Sequence, residues 1–251
     1  MESGWSVKKL HRLIVTSAAY QQSSLPGSTA ASPGAPGGAA IDPDNTLLWR
    51  GPRHRLEAEQ IRDSALAVAG LLSKKMGGPG VYPPQPAGIT TEGTYGAMAW
   101  TPSTGEDRHR RSLYTFTKRT APFAMGTTFD APTGEACIAR RDVSNTPLQS
   151  LTLLNDVMFM EAAQALARTI TAQPGTIEEK LRPLFLRIFS RPAADDEAAT
   201  LTAFFTAQQQ RFTTGELDAV KAGGEGGDAA RAAWTLTIRA LLNTDEFVTK
   251  H

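Results

Sequence analysis

Seven of the 26 basic residues fall between Arg108 and Arg141: Arg108, Arg110, Arg111, Lys118, Arg119, Arg140 and Arg141. Planar guanidinium groups grip carboxylate, sulfate or phosphate through paired hydrogen bonds. Two arginine pairs flanking one loop are therefore a candidate anion clamp, with Arg110, Arg111, Arg119, Asp130, Arg140 and Arg141 as candidate ligand-binding residues. A structural reading stands beside it. Glu106, Asp107, Asp130, Glu135 and Asp142 are close in sequence, and surface arginines commonly pair with such carboxylates for little energy.

The same stretch holds the single cysteine, Cys137. Guanidinium groups stabilise a thiolate, the form of cysteine that attacks. Such chemistry also needs a positioned base. The four histidines, His11, His54, His109 and His251, sit in no recognisable partner motif. Cys137 therefore reads first as a small buried hydrophobe. An enzyme of hydrolytic or redox-coupled type using Asp130, Cys137 and flanking arginines is the alternative. No thiolate cluster, H-E-x-x-H or EF-hand spacing is present, and the glycine runs lack the Lys-Ser/Thr of a nucleotide loop. No metal and no cofactor is expected. Asp42-Pro43-Asp44-Asn45 reads as a capped turn before a calcium loop.

The elements that must carry these residues are helical. Ser6 caps a helix over 6–22 whose apolar stripe is Val7, Leu10, Leu13, Ile14 and Ala18. Residues 23–40, rich in Gly, Ala and Pro, read as a low-complexity linker. A helix follows from about 55 to 75, stopped by Gly77-Gly78-Pro79. Ser112–Lys118 is the best strand, with Tyr114 and Phe116 on one side. Thr146-Pro147 opens a helix carrying Leu148, Leu151, Leu154, Met158, Ala162 and Leu166. Further helices are expected near 176–189, 193–212, 215–221 and 228–242. The fold class is mainly α, a multi-helix single domain over 1–251. A minor β element sits around 112–119, with long Gly/Pro-rich loops at 23–54 and 76–107.

The net charge of +1 offers no global field for nucleic acid or an anionic membrane. No apolar run approaches the ~20 residues of a membrane span, so membrane insertion is not expected. The N-terminal residues lack the order of a signal peptide, and the abrupt start suggests a missing upstream portion.

Several motifs in one order carry a family resemblance: GWSVKKLHRLIVTSAAYQQSS, DPDNTLLWRGPRHRLEAEQIRDSALAVAGLL, GGPGVYPP, RRSLYTFTKRTAP, FDAPTGEACIARRDVSNTPLQSLTLLND and AAWTLTIRALLNTDEFVTK. Together they resemble the planctomycete-specific C-terminal domain of unknown function. That domain ends large planctomycete and verrucomicrobial proteins that often begin with a cytochrome c module. The resemblance implies a mostly helical, periplasmic or secreted, N-terminally truncated domain without established activity. An upstream cytochrome c module or half-domain is the implied partner. Val157 stands where that pattern has proline, which implies a softer helix break.

The leading expectation is a non-catalytic binding module of a cell-envelope protein, meeting an anionic glycan or an acidic partner through its arginines. A purely structural domain, its arginines saturated by backbone carbonyls, is the third reading.

Overall fold

The structure is a computed structural model describing residues 4–24, 37–86, 100–119 and 122–250. Most of the expected linker, and part of the expected 76–107 loop, lie outside the described residues. The chain divides into two compact units: Met1–Arg55 with Thr249–His251, and Leu56–Val248. The architecture is mainly α.

In the first unit, α1 (Val7–Val15) starts at Ser6, whose hydroxyl accepts from the Lys9 amide at 3.4 Å. The helix expected to run to residue 22 stops early. The Thr16 hydroxyl bonds the Arg12 carbonyl, and Ser17 caps α2 (Ala18–Gln21), so hydroxyl groups take over the backbone there. α3 (Gly38–Ile41) leads into Asp42. Its carboxylate accepts from the Thr46 and Leu47 amides and the Thr46 hydroxyl, a capped turn as the residue types suggest. β1 (His54–Arg55) pairs antiparallel with β2 (Thr249–Lys250).

In the second unit, α4 (Ala58–Ala69) ends at Gly70, in the left-handed region at φ 76°. It stops there and not at Gly77, because the first glycine able to take that conformation closes the helix. α5 (Ala124–Thr128) precedes α6 (Pro147–Asn155) and α7 (Val157–Thr171). These last two were expected as one helix. Asp156 divides them: its backbone is extended (ψ 139°) and its carboxylate accepts from the Met158 amide to start α7. An N-cap needs such a non-helical backbone, so the break is sharp without proline. α8 (Ile177–Phe189) opens on a reciprocal cap between Thr176 and Glu179. α9 (Asp195–Thr213), α10 (Ala219–Gly223), α11 (Ala229–Leu242) and α12 (Asp245–Val248) follow.

The expected strand at 112–119 is not a strand. Ser112–Tyr114 forms one 3-10 turn, and Thr115 makes a single parallel bridge to Val81. The Ser112 amide and hydroxyl are captured by Asp63, which overrides the strand propensity of the aromatic and β-branched residues.

The core centres on α7 against α11, flanked by α4, α8 and α9. α7 buries Ala162, Ala163 and Ala167 and α11 buries Ala232 and Ala233, small residues that let packed helices approach closely. Leu166, Phe159, Trp234 and Ile238 fill the remaining space, and Phe205 lies 4.6 Å from Trp234 between ring centroids. Leu148 and Leu151, placed on the apolar stripe from sequence, are exposed on α6.

Leu166→Ala is expected to destabilise the protein by about 2–5 kcal/mol, and Leu148→Ala by less than about 0.5 kcal/mol. Urea unfolding followed by far-UV circular dichroism measures both.

Candidate functional site

The arginine-rich segment is held from below by α4. Ala58, Ile61, Arg62, Ala65, Leu66 and Ala69 form its buried face, so one charge sits on the apolar stripe. Arg62 is 1% exposed. Its Nη1 donates to the Arg110 carbonyl at 2.8 Å and to Ser112 Oγ at 3.2 Å, and its Nη2 to the Arg108 carbonyl at 3.2 Å. Burial lowers the Arg62 pKa to about 10, opposed by the nearby carboxylates of Asp63 and Asp156. Burial raises the Asp156 pKa in turn.

Arg110, also 1% exposed, is spent on backbone. Its guanidinium donates to the carbonyls of Gly77 (2.5 Å), Pro79 (3.1 Å) and Lys75 (3.4 Å), and stacks 3.7 Å from the Tyr114 ring centroid. The Tyr114 hydroxyl accepts from the Gly77 amide. Gly77 and Gly78 have φ of 73° and 90°, the turn that presents those carbonyls inward. Arg108 grips Glu161 of α7 through both carboxylate oxygens, with Nε at 3.0 Å, and His109 Nε2 approaches the same carboxylate at 3.4 Å. Burial alone would raise the Glu161 pKa. The hydrogen bonds from His109 and Arg108 outweigh it and hold the carboxyl at about 2.

Above α4 lies a cleft of about 700 Å³. Glu59, Asp63 and Ala67 of α4 form one wall. Arg111, Leu113 and Thr115 form another, and Phe123 and Met125 line it further along. Arg111 is 48% exposed, and its Nε lies 3.8 Å from Asp63 Oδ2, beyond hydrogen-bond reach. Arg141 pairs with Glu59 at 2.6 and 3.1 Å and with Glu57 at 3.3 Å. Arg62 Nε and Thr115 Oγ1, both on cleft-lining residues, are buried without a hydrogen-bond partner among the described residues.

The candidate residues thus go to different places. Arg110 faces the 75–79 loop. Arg111 and Arg141 both reach carboxylates of the first turns of α4 or its cap. Asp130, at φ 58°, accepts from the Ser144 amide and hydroxyl and ties one loop. Arg119 is exposed beside Gly134, and Arg140 is exposed. Cys137 is exposed, not a core residue, because the irregular segment around it lies on the surface with Ile138 and Val143 also exposed. It does not line the cleft.

The partners differ from those near in sequence. Glu106 accepts from the Ser73 hydroxyl and Asp107 pairs with Lys75. The arginines bind Glu57, Glu59, Asp63, Glu161 and backbone carbonyls. Sequence reasoning missed Arg62, Asp63 and Glu161. For Arg62 the signal was present: a cation at i+4 from Ala58 and i−4 from Leu66. Among the described residues, no group of three or more His, Cys, Asp or Glu could hold a metal ion.

The family model described as "PSD1: Protein of unknown function (DUF1553)" matches residues 1–205. The chain belongs to this family. The PSD1 match spans the whole Arg62–Arg110–Glu161 assembly and the cleft. No curated protein and no solved structure matches the chain.

Two outcomes are expected for this PSD1 site. Arg62→Ala, which strands the carbonyls of Arg108 and Arg110, should cost roughly 2–4 kcal/mol in urea unfolding. Glu161 has a folded pKa of about 2 against an ordinary 4.5. Its contribution to stability is therefore complete above pH about 4.5 and is lost as pH falls toward 2. Glu161→Gln should flatten the dependence of the urea midpoint on pH across that window.

Proposed function

We propose that this chain is a non-catalytic binding module of a multidomain cell-envelope protein, with an anionic ligand or acidic partner segment seated in the α4 cleft. The observation that carries the reading is Arg111. It is half exposed at the edge of a cleft lined in part by Leu113, Phe123 and Met125, and among the described residues its ion-pair neighbour is Asp63, whose Oδ1 accepts from Ser112 at 2.7 and 2.8 Å while its Oδ2 stays 3.8 Å from Arg111 Nε. At that distance Asp63 makes no hydrogen bond to Arg111. An incoming carboxylate or sulfate would gain a planar, paired contact, while its apolar part covers Leu113, Phe123 and Met125. Arg119 and Arg140 add exposed positive charge from the same arginine-rich segments.

The resemblance supports a setting among planctomycete-type proteins that carry a cytochrome c module upstream, periplasmic or secreted. The enzyme alternative draws no support from the contacts. Asp130 spends its carboxylate on Ser144, and Cys137 is absent from the cleft lining.

Isothermal titration of the full chain against sulfated and uronic-acid oligosaccharides tests the reading. Binding that weakens about tenfold or more in Arg111→Ala is the expected result, with a smaller effect for Arg140→Ala combined with Arg141→Ala. No heat with either ligand class, or affinity unchanged in Arg111→Ala, sinks it.

A further inference from the structure

Arg111 and Asp63 face the α4 cleft as a donor and an acceptor side by side. Asp63 Oδ1 accepts from the Ser112 amide and hydroxyl, but among the described residues its Oδ2 accepts no hydrogen bond. Among the same residues the Arg111 guanidinium donates none. Arg111 Nε and Asp63 Oδ2 stand 3.8 Å apart, and both residues line the cleft. The Asp63 side chain is 21% exposed and that of Arg111 48%, so a ligand can reach both.

The other charges along the cleft are compensated. Arg141 grips Glu59 at 2.6 and 3.1 Å. Arg62, buried beneath, lies 3.7 Å from Asp63 Oδ1 and offsets its charge. Among the described residues lining the cleft, the charge of Arg111 is then left over. The site suits a single carboxylate, taken end-on by the two Nη groups of a planar guanidinium. A second anionic group beside it would meet Asp63 and be repelled.

The gap between Nε and Oδ2 adds a second demand. A group that displaces solvent there must reproduce hydrogen bonds to both atoms. An oxygen about 2.8 Å from each bridges such a separation. A hydroxyl accepts from Arg111 and donates to Asp63 through that one atom. An ester or sulfate oxygen only accepts, and would set a lone pair against the Asp63 carboxylate.

We propose that the cleft selects a hydroxy-carboxylate, with Asp63 as the specificity-determining residue. Arg111 holds the carboxylate, and Asp63 reads a free hydroxyl next to it. Among saccharides this favours a uronic acid with unsubstituted hydroxyls over a sulfate ester. The proposal rests on the anionic-ligand reading of the same cleft and narrows it to one ligand chemistry.

Isothermal titration of the full chain compares three probes of equal length: an oligouronide, the same oligouronide O-acetylated, and a sulfated neutral oligosaccharide. Acetylation keeps the carboxylates and removes the hydroxyl donors. The unmodified oligouronide is expected to bind about tenfold or more tighter than either of the others. Asp63→Asn keeps an oxygen for Ser112 and puts an amide donor where the carboxylate accepted. In this variant, with folding checked by far-UV circular dichroism, the two oligouronides are expected to bind alike. Equal binding of the two oligouronides by the unaltered chain overturns the proposal. So does a sulfated oligosaccharide that binds as tightly as the oligouronide. In both cases a loss of affinity in Arg111→Ala leaves the broader anionic-ligand reading standing. Discrimination that persists in Asp63→Asn marks a steric effect of the acetyl groups and also overturns the proposal. Absence of heat with all three probes removes the broader reading, and the proposal with it.

Discussion

The buried guanidinium of Arg62 is the constraint on which the cleft region depends. A charge taken out of water must be repaid in hydrogen bonds. The nearest carboxylate oxygen, Asp63 Oδ1, lies 3.7 Å from it, so most of that compensation comes from backbone. Two carbonyls of the 108–110 segment and the Ser112 hydroxyl turn toward α4, and a stretch with strand-like composition becomes a turn. That turn aims the buried Arg110 side chain at the 75–79 loop and places Arg108 against Glu161 of α7. One cation on a helix stripe thus organises three segments that regular secondary structure does not bind together.

Within the same unit, α7 supports this arrangement from the other side. α7 presents Ala162, Ala163 and Leu166 to the core while carrying Glu161 on a neighbouring part of its surface. Asp156 sets where α7 begins, and so fixes the height of Glu161 relative to Arg108. The break between α6 and α7 is therefore part of the site's geometry, five residues before the carboxylate it positions.

Much of this was legible in the sequence where local chemistry decides the outcome. Ser6 and Thr146-Pro147 mark helix starts, and the C-terminal helices fall close to the expected spans. The mainly helical class follows from the same patterns. Where tertiary contacts compete with propensity, local reading fails. SLYTFTK has the residues of a strand, yet Asp63, 49 positions earlier, takes the Ser112 amide. The arginines looked toward carboxylates a few residues away, but their partners lie up to 82 positions off. The exposure of Cys137 depends on how a loop lies on the surface, which no periodicity encodes. Arg62 was readable only by asking why a cation interrupts an apolar stripe.

The Arg110 clamp recognises carbonyl oxygens, which every residue possesses. Lys75 and Pro79 contribute nothing to it that another amino acid would lack. The clamp thus places no demand on the side chains at those two positions, and their identities are released from it. Gly77 and Gly78 remain tied by their backbone angles. The clamp on the loop is written in Arg110 and in those two glycines, while Lys75 is tied separately through its ammonium group to Asp107.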